Sequence, residues 1–68
     1  MDIKLRFGLM VRELRQSKGI SQEKLAELAQ LHRTYISSLE LGHRNVSIIN
    51  IERLAIALNC EVKDLFTF

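Results

Sequence analysis

Sixty-eight residues with 47% hydrophobic content make one small domain, 1–68, with enough apolar material for a core and too much for a disordered chain. A lone cysteine, Cys60, rules out an internal disulfide and suits a reducing cytoplasm. Met1 to Arg6 lacks the apolar core of a signal peptide, and no run approaches the roughly 18 apolar residues of a membrane span. The net charge of +2 is unevenly spread: Ile3 to Arg44 holds eight basic residues against four acidic ones, leaving the remainder acidic. A basic lobe on a domain of pI about 9.0 is compatible with a polyanionic partner and equally with a mixed solvated surface.

The chain has no proline, three glycines and no strand-like alternation, so it reads as helices with short joints. Ile3, Phe7, Met10, Val11 and Leu14 form one stripe and predict a helix from Ile3 to Lys18, stopped at Gly19. Ser21 is placed to cap a second helix whose Leu25, Ala26, Leu28 and Ala29 face inward. A joint of about three residues leads to a third helix, Arg33 to Leu41, ended by Gly42. Ser47 caps a fourth, with Ile48, Ile51, Leu54, Ala55 and Leu58 inward, and a short helix from Val62 to Phe66 closes the chain. The expected fold is all-α: a compact bundle of five short helices.

Two short helices with a short joint suit either an αα-hairpin or a helix-turn-helix. Ala26 favours the second, because crossed helices need a small side chain where their backbones approach. The set Leu25, Ala29, Leu31, Ile36 and Leu39 spans both helices as one rigid unit.

On SQEKLAELAQLHRTYISSLELG, Ser21 to Gly42, the sequence resembles the phage-repressor and Cro-like helix-turn-helix family, the lambda-repressor-like DNA-binding domains. The flanking LRQSKGIS and SIINIERLAIALNCEVKDLF extend the resemblance over nearly the whole chain. RTYIS followed by E-x-G-x-R-N looks most like the controller proteins of restriction–modification systems. The resemblance implies a sequence-specific transcription regulator, working as a homodimer on a near-palindromic double-stranded operator. It further implies activation of its own gene and the endonuclease gene, with repression at higher concentration. A phage-type or chromosomal repressor, or an antitoxin-like protein-interaction module, remains an alternative.

The residues fit that expectation. Arg33 opens the third helix with a planar fork able to bond guanine or grip phosphate. Thr34, Tyr35 and Ser38 share its outward face as further base-contacting candidates, whereas Ser37 reads as structural, bonding back to helix carbonyls. Backbone-contacting candidates are Gln22, which matches the family's phosphate-touching glutamine, with His32, Arg44, Asn45 and Ser47; Ser47 reads equally as a cap. Arg15 and Glu40 match a structural ion pair of the family. Glu23 and Glu27, one turn apart, match candidates for touching RNA polymerase and also suit a solvated face.

Three departures stand out: Gln30 where glycine is usual, His32 in place of a serine or threonine cap, and Leu41 where a phosphate-seeking side chain is common. Ile49 and Ile56, with Arg53 between them, form an outward stripe that suits a two-fold dimer, together with Phe66 and Phe68 unless these close the core. Cys60, His32 and His43 lack metal-ligand spacing, and no glycine-rich phosphate loop or nucleophile elbow is present. No enzyme, cofactor, metal or small-molecule ligand is expected.

Overall fold

A computed structural model describes residues 2–68. Four α-helices follow one another: α1 (Ile3–Ser17), α2 (Gln22–Ala29), α3 (Arg33–Glu40) and α4 (Ile48–Ala57). The chain closes with Val62–Phe66, which is a 3-10 helix where a fifth α-helix was expected. Five residues between Glu61 and Thr67 leave room for little more than one turn, and the tighter i→i+3 bond from Asp64 N–H to the Glu61 carbonyl, 3.0 Å, fits that space.

Helix starts follow the side chains that can accept from their free N–H groups. Asp2 accepts from Lys4 N–H at 2.9 Å, Ser21 from Lys24 N–H at 3.0 Å and Ser47 from Asn50 N–H at 3.2 Å. His32, before α3, makes no such bond, as its weaker capping chemistry predicts. All four α-helices end alike: an N–H reaches back five residues, from Ile20 to Arg15, Leu31 to Ala26, His43 to Ser38 and Cys60 to Ala55. Each bond is set up by a residue at positive φ, namely Gly19, Gln30, Gly42 and Asn59. Gln30, standing where glycine is usual, therefore takes the left-handed conformation (φ 57°, ψ 45°) despite its Cβ, and Asn59 does so without a sequence expectation.

The core gathers Phe7 and Val11 from α1, Leu25, Ala26 and Ala29 from α2, Ile36 and Leu39 from α3, and Leu54, Ala55 and Leu58 from α4, with Leu65 beneath. Three residues expected inside are out. Leu28 is 48% exposed because Leu25, Ala26 and Ala29 already fill the arc of α2 that meets the core, and Leu28 lies off its edge. Ile48 is 81% exposed because it opens α4, one turn before Ile51 reaches the core. Ile3, first in its stripe on α1, is exposed for the same reason.

Close approach of α1 to α3 depends on Gly8. A Cβ there would stand 2.1 Å from the Leu39 carbonyl oxygen and 3.0 Å from that of Glu40. The backbones of α1 and α3 thus meet with no room for a side chain, beside the end of α3 that carries Glu40.

Candidate nucleic-acid interface

The unit α2–turn–α3 is rigid because its inner face is continuous. Leu25, Ala26 and Ala29 on one side of the turn and Ile36 and Leu39 on the other are all buried, and Leu31 packs against them from the turn itself. The small Ala26 is buried in this shared face. One face of α3 is left free.

Orientation of α3 is fixed by charge. Arg15 on α1 forms a two-pronged ion pair with Glu40, Nε to Oε2 at 2.7 Å and Nη2 to Oε1 at 3.1 Å, and its Nη1 donates to the Ile20 carbonyl at 2.9 Å. Glu40 is only 4% exposed. The Gln22 amide adds a third donor to Glu40 Oε1 at 3.1 Å. One carboxylate thus receives the Arg15 guanidinium from α1 and the Gln22 amide from the start of α2, so α3 is tied to both preceding helices. Gln22, selected from the sequence for a phosphate contact, belongs to this network through one amide hydrogen; its other hydrogen and its oxygen carry no bond among the described residues.

On the free face, Arg33 and Thr34 are exposed in the first turn of α3. Tyr35 is half-buried and tied to the following segment: its hydroxyl accepts from Asn50 Nδ2 at 3.3 Å, while the Arg44 guanidinium lies over its ring, 5.2 Å from the centroid. Arg44 Nε also donates to Ser38 Oγ at 3.3 Å. Tyr35, Ser38 and Arg44 therefore form one connected surface patch beside Arg33 and Thr34. Asn50 was missed by the sequence reading; its position in the first turn of α4 signals a cap environment and nothing more. Asn45 and Ser47 are exposed on the segment between α3 and α4, and the Ser47 hydroxyl is used as the helix cap. His32 is exposed at the start of α3. Ser37 makes no side-chain hydrogen bond to a helix carbonyl, contrary to the expectation for it; it lines a cleft shared with α1 and α2.

Away from this face, Ile49 and Ile56 on α4 are 63% and 72% exposed, with Arg53 exposed on the same side. Phe66 and Phe68 turn toward α1: the Phe66 ring lies 5.2 Å from that of buried Phe7, and Phe68 lies beneath the Arg6 guanidinium at 4.9 Å. Both keep an exposed edge, so they partly close the core and partly face outward. Glu23 and Glu27 are exposed on α2, Glu27 in an ion pair of 3.0 Å with Lys24. The Cys60 thiol is pushed up from its ordinary value by burial and then by the Asp64 carboxylate, against a smaller opposing effect of Lys18. That is the reverse of what activates a cysteine nucleophile. Among the described residues no group of three or more His, Cys, Asp or Glu is placed to hold a metal ion, and no helix is long and apolar enough to cross a membrane.

Two helices locked across a left-handed turn, the second presenting a guanidinium, hydroxyls and an aromatic ring on its free face, define a helix-turn-helix domain. A helix-turn-helix family profile matches residues 11–65. The chain is 54% identical over 68 residues to control protein C.BamHI of Bacillus amyloliquefaciens, covering 98% of this chain and 84% of that protein. It is 48% identical over 67 residues to control protein C.SmaI of Serratia marcescens, covering 98% and 80%. The crystal structure of the restriction–modification controller protein C.AhdI from Aeromonas hydrophila superposes with a TM-score of 0.91 at 51% identity, covering 93% of this chain and 96% of that one. The chain belongs to the helix-turn-helix family of restriction–modification control proteins.

Proposed function

We propose that the chain is a DNA-binding transcription regulator of a restriction–modification system, and that α3 is its reading helix. One observation carries this most directly: the exposed Arg33 and Thr34 adjoin the Tyr35–Ser38–Arg44 patch on a helix whose orientation is fixed by the Arg15–Glu40 pair. Base contacts fall to Arg33, Thr34, Tyr35 and Ser38, which offer a bidentate donor, hydroxyls and apolar edges to the major groove. Backbone contacts fall to Gln22, His32, Arg44, Asn45 and Ser47, which flank that helix. Like its relatives by name, the protein controls restriction–modification genes: it activates its own gene and the endonuclease gene at low concentration and represses at high concentration. A footprint on the DNA upstream of its own gene is expected to show protection at two half-sites about one helical turn apart. Uniform, sequence-independent protection would exclude this function.

Two copies are needed to read a near-palindromic operator, and the uncovered isoleucines of α4 suit the contact between them. Replacing Ile49 and Ile56 together by glutamate is expected to convert a dimer to a monomer in sedimentation, since both side chains are more than half exposed and not needed in the core. An unchanged sedimentation coefficient would place the dimer contact elsewhere. Activation also calls for a contact with RNA polymerase, for which Glu23 and Glu27 are the candidates. Lys24 pairs with Glu27 and offsets its charge, so Glu23, with no ion pair among the described residues, is the stronger of the two.

A further inference from the structure

The cleft between α1, α2 and the end of α3 has a volume of about 220 Å³ and is lined by Arg12, Arg15, Gln22, Ser37, Glu40 and Leu41. Its buried charges already satisfy one another: Glu40 takes both prongs of Arg15 and the Gln22 amide. What remains unmatched is Arg12. It is exposed on α1, three residues and nearly one turn before Arg15, and it has no carboxylate within 4.0 Å among the described residues. Ser37 and Gln22 line the same cleft, and the Ser37 hydroxyl and the second hydrogen of the Gln22 amide have no hydrogen-bond partner among the described residues. A guanidinium, a hydroxyl and an amide N–H facing one small opening are the donors of an anion seat.

We propose that this cleft receives a phosphate of the DNA backbone, with Arg12 as the cation that grips it. The inference rests on the reading of α3 as the helix that enters the groove, because the cleft opens beside the exposed end of that helix at Leu41. Leu41 itself is 59% exposed and brings no donor, so the positive charge at this shoulder comes from α1 instead of from α3. The carboxylate of Glu40 lies at the floor of the same cleft and would repel a phosphate if it were unpaired; its pairing with Arg15 leaves Arg12 as the net charge. Arg12 thus positions the protein on the duplex without reading sequence.

Arg12→Ala tests this through the salt dependence of binding. Losing one phosphate contact per protomer is expected to make the plot of log binding constant against log salt shallower by about 0.9 for each contact removed. Affinity should fall by a similar factor on operator and random duplexes, with the ratio between them unchanged. Arg12→Lys should restore most of the slope, and Lys63→Ala, which removes an equal charge from the C-terminal 3-10 helix, should leave it nearly unchanged. Arg12 is exposed, so circular dichroism and melting should match the wild type. A wild-type slope in Arg12→Ala, or an equal change in Lys63→Ala, would overturn the proposal while leaving α3 as the reading helix. Loss of the operator-to-random ratio in Arg12→Ala would also overturn it, by making Arg12 a reader of bases. A wild-type protein that binds neither duplex would instead remove the reading of α3 on which it rests.

Discussion

Replacing Arg15 by alanine is expected to destabilise the domain by about 3–5 kcal/mol, the cost of leaving a buried charge without its partner. Glu40 would keep only the Gln22 amide as a side-chain donor while remaining nearly inaccessible to water, and the Ile20 carbonyl would lose the Arg15 donor that meets it at 2.9 Å. A loss of that size approaches the whole stability of a small domain, so the variant should be largely unfolded at room temperature by urea titration. The pair is nevertheless no large net source of stability. Substituting both Arg15 and Glu40 by methionine should recover much of the loss, because neither then leaves a charge buried alone. The double variant should still bind operator DNA more weakly than its stability alone predicts, since the charged pair sets the angle of α3. If Arg15→Ala unfolds at nearly the wild-type urea concentration, the pair does not hold α3.

The second large effect concerns Gly8→Ala. Helix propensity alone says that alanine inside α1 should stabilise, by about 1 kcal/mol. The packing says the opposite: the new Cβ would lie 2.1 Å from the Leu39 carbonyl oxygen, and α1 would have to retreat by on the order of 1 Å. The obstacle is backbone of α3, which cannot swing aside as a side chain would. Overpacking of this kind costs about 1–3 kcal/mol, and the upper end applies when backbone meets backbone. The expected net outcome is a melting temperature lower by about 10 °C, together with weaker DNA binding as α3 is displaced. A melting temperature equal to or above that of the wild type would mean that the two helices do not meet at this glycine.

Both effects act on the support of α3, and they differ in how far the sequence reveals them. The Arg15–Glu40 pair was legible because its two residues sit where a family pattern puts them. Gly8 carried no such signal. A glycine in a helical stripe has many uses, and only the crossing of α1 over α3 makes this one obligatory. The same division runs through the rest of the molecule. Ser21 and Ser47 announced the starts of α2 and α4, because a cap is a local bond between neighbours in sequence. The left-handed turn at Gln30 was visible as a departure from glycine; Asn59 at φ 54° went unread, although an asparagine just past the last core residue of α4 is itself a local stop signal. Leu28 and Ile48 have the right residue type and nearly the right spacing for the core, yet burial is decided by which arc of each helix meets a neighbour. The last helix was read as α-helical because its apolar spacing is ambiguous over five residues, and the space left at the end of the chain selects the tighter coil.

At the candidate interface the outline was legible and the connections were not. Arg33, Thr34, Tyr35 and Ser38 were identified from their place on α3, and the structure sets them on its accessible side. That Arg44 reaches back over Tyr35 to Ser38, and that Asn50 holds the Tyr35 hydroxyl, depends on how the segment after Gly42 folds against α3. These contacts give Tyr35 and Arg44 a defined arrangement in the free protein, which reduces the ordering cost of binding. Gln22 shows the converse: a residue selected for the DNA turned out to share in holding Glu40, and one amide can serve both by pointing its two hydrogens different ways.

If the free face of α3 reads base sequence, the loss shows first at Arg33. Arg33 is exposed and makes no hydrogen bond or ion pair with the rest of the described chain, so its removal should leave folding intact. Binding of wild type and Arg33→Ala to the operator and to a random duplex, at one fixed salt concentration, separates reading from mere attraction. The expected result is a loss of about 1–3 kcal/mol on the operator with a smaller loss on random DNA, so that discrimination shrinks at one base step. An Arg33→Ala protein that keeps the wild-type affinity for both duplexes would contradict the claim.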